Sequence, residues 1–127
     1  MADGLAWDDL TPQLEGPGVA IRRVDADGLA MCLIRLEAGS KTDPLFAGLP
    51  DDRCQCAHWG VVTEGQLTFR WPDHEETCVA GDAYYAPPGH LPLVTAGTSI
   101  VEFSPSADLE ATMAVVEKNL LSAGAQA

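Results

Sequence analysis

Positive charge is scarce in this chain: 7 Lys and Arg stand against 19 Asp and Glu in 127 residues, a formal net charge of -12. Nucleic acid and anionic membrane surfaces both select clustered Lys and Arg, so neither is expected as a partner. The acidity reads as a solubility feature rather than a docking site for a basic protein. Long apolar runs are missing too. No stretch approaches the ~18 residues of a membrane helix, and no basic segment leading into a hydrophobic one opens the chain. These absences predict a soluble, cytoplasmic protein. Internal repeats and low-complexity segments are also absent. In a reducing compartment Cys32, Cys54, Cys56 and Cys78 are expected as thiols or ligands rather than disulfides. A bridge between Cys54 and Cys56 would close a strained loop.

What is present is a series of short apolar runs punctuated by turn residues. The length suits one domain with a single core, 1–127. Trp7, Leu10 and Leu14 fall at i, i+3, i+7, which suggests a short helix or turn in an N-terminal extension, 1–18. Val19 to Val24 and Leu29 to Glu37 read as two strands joined across Asp25-Ala26-Asp27-Gly28, with Cys32 as a small buried residue. An irregular stretch, 38–52, carries Leu45, Phe46 and Leu49 as a loop that packs down. Further strands are read at 61–63, 66–71, 76–79, 83–86, 91–95 and 98–103, the last two as a pair across Ala96-Gly97. Then the period lengthens. Ser104-Pro105-Ser106 starts a helix over 105–121, Ser104 capping it, with Leu109, Met113, Val116 and Leu120 as its apolar stripe. Eight to ten short strands closed by one helix predict an all-β sandwich or small barrel over 29–103.

The chemistry concentrates in Cys54-Gln55-Cys56-Ala57-His58. If this stretch is a strand, Cys54, Cys56 and His58 leave one face. Soft sulfur beside imidazole is the donor set of a zinc-type metal, and Pro87-Pro88-Gly89-His90 could bring a further ligand. Alternate strand residues lie about 6.6 Å apart, so Cys54 and His58 would stand about 13 Å apart at Cα, and one metal needs a bend between them. The softer readings are small buried cysteines with a hydrogen-bonded His58, or a Cys-His nucleophile pair with no orienting third group in view. His74, in a turn among acids, reads as a surface residue. One of Tyr84 and Tyr85 must face inward by alternation, and Tyr85 is taken as the one near the site. Glu102 is a second pocket candidate.

The sequence resembles the cupins, and within them the small single-domain bacterial members with an RmlC-like jelly roll, over roughly residues 29–103. Counting back from Gly65 places His58 at the acidic ligand position of the first cupin motif, with Asp52 and Cys54 at the two histidine positions. Gly81, Pro87 and Gly89 fit the glycine and proline frame of the second motif, whose closing histidine falls on Pro92, two residues after His90. The resemblance implies a double-stranded β-helix, a metal near positions 54 and 58, and a homodimer formed through edge strands and the 109–120 helix.

Together these readings predict a zinc-binding cupin with Cys54, Cys56, His58 and His90 as ligands, Asp52 as a weaker candidate, and Tyr85 and Glu102 in the pocket. Its barrel would bind a small organic molecule, as a lyase, isomerase or cyclase. The alternative is a non-catalytic small-molecule-binding or sensing barrel with a structural metal or none.

Overall fold

A computed structural model describes residues 6–40 and 42–125, with side chains described to residue 122. Residues 1–5 of the expected N-terminal extension lie outside the described residues. Asp27 and Gly28 both take positive φ, 52° and 80°, as the two central residues of a type I′ turn must. That turn joins β2 (Val19–Ala26) to β3 (Leu29–Leu36) in register, Ala26 opposite Leu29. The other strands are β1 (Thr11–Gly16), β4 (His58–Glu64), β5 (Gln66–Arg70), β6 (Glu75–Val79), β7 (Ala83–Ala86), β8 (Leu91–Leu93) and β9 (Thr98–Pro105). A single α-helix, α1 (Ser106–Ala125), ends the described chain.

The strands form two antiparallel sheets: six strands in the order β1-β2-β3-β9-β4-β7, and three in the order β6-β5-β8. This is the expected all-β jelly-roll barrel with a C-terminal helix. Gly65 makes the β4–β5 turn at φ 75°. A side chain there would strike the Gly97 carbonyl oxygen, 2.1 Å from where a Cβ would stand.

Three expectations are corrected. The segment carrying Leu14 is not helical. Only Trp7–Asp9 forms a 3-10 turn, and Thr11–Gly16 pairs with β2, so the N-terminal segment widens the sheet instead of lying outside a barrel that begins at residue 29. β8 and β9 are not partners: β8 pairs with β5 while β9 lies between β3 and β4, because the chain changes sheets between them. Ser104 caps nothing. It is the last buried residue of β9, and the helix starts at Ser106.

The interior is one apolar cluster shared by the two sheets, with Ile34, Val62, Leu67, Phe69 and Ile100 among its members. The α1 stripe of Leu109, Met113 and Val116 is buried against it, and Leu45 and Phe46, from a 3-10 turn at Asp43–Phe46, pack on the same cluster. Asn119 fastens helix to loop, its amide nitrogen donating to the Leu45 and Ala47 carbonyls at 2.8 Å each. Among the described residues no helix is long and apolar enough to cross a membrane.

Candidate metal centre

β3 and β9 alternate strictly. Ala30, Cys32, Ile34 and Leu36 point inward on one, and Thr98, Ile100, Glu102 and Ser104 on the other. β4 pairs beside β9 with Gly60 opposite Glu102, and beside β7 with His58 opposite Ala86 and Gly60 opposite Tyr84. Directly opposed residues share a sheet face, so His58, Glu102, Ser104 and Tyr84 all enter the barrel. Gly60 leaves the room that Tyr84 fills: a Cβ at 60 would lie 2.5 Å from the Tyr84 hydroxyl oxygen and 2.7 Å from the Val101 carbonyl oxygen.

Residues 54–57 are not part of β4. The chain bends there, and Cys54 instead forms an isolated bridge with His90. Its N–H donates to the His90 carbonyl at 3.0 Å, and the Gly89 N–H donates to the Cys54 carbonyl at 2.8 Å. The bend removes the long extended-strand separation and sets Cys54 Sγ 3.4 Å from His58 Nε2. The His58 and His90 rings lie 4.9 Å apart, and the ligand atoms of Cys54, His58 and His90, all buried, fall within 4.8 Å of one another.

The chemistry of these donors fits a metal. A tetrahedral zinc with S at 2.3 Å and N at 2.0–2.1 Å places its ligand atoms about 3.5 Å apart, close to the Cys54–His58 separation. The His90 Nδ1–H donates to the Pro87 carbonyl at 2.7 Å. A carbonyl only accepts, so the His90 lone pair is on Nε2. His58 Nδ1 is engaged by Ser104 Oγ at 2.7 Å, which leaves its Nε2 toward Cys54. Outer hydrogen bonds of this kind orient metal-binding imidazoles.

Burial sets the electrostatics. It pushes His58 and His90 down to about 4, so both are neutral at pH 7, the form that binds metal. It pushes the Cys54 thiol up to about 12. Glu102 is pushed up to about 7 by burial, against the hydroxyl that Tyr84 donates to it at 2.7 Å. Burial also raises Tyr84, helped by the neighbouring Glu102 charge. Glu102 Oε2 stands 3.6 Å from His58 Nδ1. Because burial disfavours charge on both groups, we read this as a contact between neutral groups rather than an ion pair.

The structure thus brings together Cys54, His58, His90 and Glu102. Three other candidates fall elsewhere. Cys56 is fully buried, but it lies where the chain bends and its Sγ faces the Ala57 carbonyl at 3.5 Å, outside the cluster. Asp52 is exposed, its carboxylate accepting from the Gly48 N–H. Tyr85 is on the outer face, half exposed and stacked on Trp59 at 5.1 Å; the inward tyrosine is Tyr84. His74 stacks on Trp71 away from the cluster. Ser104 and Tyr84 are the site residues that sequence reasoning missed. Ser104 is two residues from Glu102 and shares its face. The gap at Gly60, two residues from His58, gives the phase of Tyr84.

No protein-family model matches the sequence, and no curated protein matches it. Solved structures do. An RmlC-like cupin from Shewanella frigidimarina superposes with a TM-score of 0.59 at 15% identity, over 83% of this chain and 92% of the other. The chain has the cupin fold. A sugar phosphate isomerase of the cupin superfamily from Silicibacter pomeroyi gives a TM-score of 0.59 at 20% identity, covering 81% of this chain and 75% of the other. KdgF from Halomonas gives 0.55 at 19%, covering 83% and 94%. In this barrel Cys54 and His58 meet His90 at the cluster described above.

Proposed function

We propose that this cupin barrel holds one metal ion, zinc, on Cys54 Sγ, His58 Nε2 and His90 Nε2, and acts through it on a small organic molecule as a lyase, isomerase or cyclase. The observation that carries the reading is the convergence of three buried donors within 4.8 Å, each imidazole already oriented by its other nitrogen. With Cys56 turned away the donor set is three, the number that leaves a catalytic zinc an open position, whereas a structural zinc takes four. Bound zinc would supply a Lewis acid for a carbonyl or a bound water. The chain's own contribution is a proton. Glu102, bonded to Tyr84, titrating near neutral pH and lining the same cavity, is suited to give or take one. One fold neighbour is named as an isomerase, which accords with this class of reaction.

The test is elemental analysis of protein purified without added metal. Wild type and Cys56→Ala should carry close to one equivalent, while Cys54→Ala and His58→Ala should fall to about a tenth or less. Wild type below a tenth would sink the reading. It would favour the second one, a binding or sensing barrel without metal, which the direct 3.4 Å contact between neutral Cys54 and His58 also supports.

We also propose a homodimer, but not through α1, whose stripe is spent on the barrel. The outward row of Phe103, Trp59 and Tyr85 across β9, β4 and β7 is an exposed aromatic surface, and it carries no charge in a chain of net charge -12. Sedimentation of wild type and Trp59→Glu tests it: a monomeric wild type, or a variant that stays dimeric, would refute this contact.

A further inference from the structure

The barrel holds a partly open cavity of about 110 Å³ that reaches from the metal cluster to the underside of α1. At one end stand Cys54, His58, His90 and Glu102. The remaining wall is mainly hydrocarbon, with Ile34, Leu67, Phe69, Ile100, Met113 and Val116 among its residues. Apart from Thr112 of α1 and the Cys32 thiol, the other polar side chains in the wall are already committed. The Thr42 hydroxyl donates to the Pro92 carbonyl, and the Gln13 amide bonds Glu117 and Arg23. No Arg or Lys lines the cavity among the described residues.

We propose that the molecule taken here is small, uncharged and largely hydrocarbon, with a single oxygen or sulfur that reaches the metal end. The assignment deepens the metal reading and rests on it for the polar anchor. Away from the metal end a phosphate or carboxylate would meet no cation in this wall, and most hydroxyls of a sugar would be buried without a partner. Size points the same way. A dry cavity of about 150 Å³ lined by Leu, Ile and Phe takes benzene in another protein, so this smaller one suits a compact ring or branched chain of about five carbons.

The experiment measures binding by ligand-observed NMR titration on zinc-loaded and chelator-treated protein. The probes are cyclopentane, cyclopentanethiol and glucose 6-phosphate. Cyclopentane should bind both forms, and cyclopentanethiol should bind the zinc-loaded form at least about tenfold more tightly than the stripped one. Glucose 6-phosphate should bind neither. Ile34→Phe, which fills the cavity from β3, should abolish binding of both cyclopentyl probes, and Val116→Leu, a milder filling from α1, should weaken it. Circular dichroism verifies that each variant is folded. The inference is overturned if glucose 6-phosphate binds as tightly as the thiol, if neither cyclopentyl probe binds either form, or if both folded variants bind unchanged. Cyclopentane binding with no zinc-dependent gain for the thiol would overturn the metal anchor alone and leave the hydrocarbon class standing.

Discussion

β5 and β9 both line the barrel interior, and they use it in opposite ways. On β5 the buried side is Leu67 and Phe69, hydrocarbon packed on hydrocarbon. On β9 the buried side turns polar after Ile100, with Glu102 and Ser104 inward while Phe103 between them is exposed. β4 and β7 share the inversion, His58 inside and Trp59 outside, Tyr84 inside and Tyr85 outside. A strand in a half-buried sheet ordinarily keeps its apolar residues inside. Burying Glu102 without full compensation costs stability, so the β4–β7–β9 wall carries a penalty that the hydrocarbon β5 wall does not.

That contrast can be broken by substitution. Phe69→Ala, on the conventional wall, should destabilise the protein by about 3–5 kcal/mol in urea denaturation. A loss under about 1 kcal/mol would mean that β5 is not the structural side. Glu102→Gln, on the inverted wall, should do the reverse. The carboxyl titrates at about 7 folded against 4.5 unfolded, so its burial penalty grows as pH rises from 4.5 to 7 and then stays constant. Metal-free Glu102→Gln should therefore exceed wild type by roughly 2–3 kcal/mol at pH 8, and the gap should close toward pH 4. His58 and His90 act with the opposite sign. Their folded values of about 4 lie below the ordinary 6.5, so the unfolded chain takes up protons first as pH falls from 6.5 to 4. Metal-free wild type should lose on the order of 2 kcal/mol between pH 7 and 4.5 once the opposing Glu102 effect is subtracted, readable from urea midpoints. A flat profile would contradict two neutral buried imidazoles. Gly60→Ala, which drives a methyl group at Tyr84 and the Val101 carbonyl, should cost about 1–3 kcal/mol, and Tyr84→Phe in the same chain should recover part of it. The smallest effect belongs to the outer face. Trp59→Ala should change monomer stability by about 1 kcal/mol or less through its cross-strand stack on Tyr85.

The frame of the molecule was legible because glycines announce turns that other residues make badly. Gly65, Gly81 and Gly89 all take positive φ, and counting from Gly65 reached His58 at the site. Short apolar runs between turns gave β3 and β9, and strand parity made Glu102 a pocket candidate. Sequence periodicity did not reveal where a chain leaves its strand. Cys54, Cys56 and His58 alternate on paper, but the backbone bends between 54 and 58, which brings Cys54 to the imidazole and turns Cys56 elsewhere. Two adjacent tyrosines give no phase by themselves; the pairing of Gly60 with Tyr84 makes Tyr84, not the expected Tyr85, the inward one. Ser104 read as a helix cap because Ser-Pro-Ser suits one. β9 carries on through Pro105, so the hydroxyl serves His58 instead.

Asn119 couples two elements that line the cavity. One amide nitrogen holds both the Leu45 and Ala47 carbonyls, so the helix over the cavity and the loop beside it are latched as a single shutter. Separating the two breaks both bonds. Amides of α1 and of the Asp43–Phe46 turn should then exchange hydrogen together, as one cooperative unit.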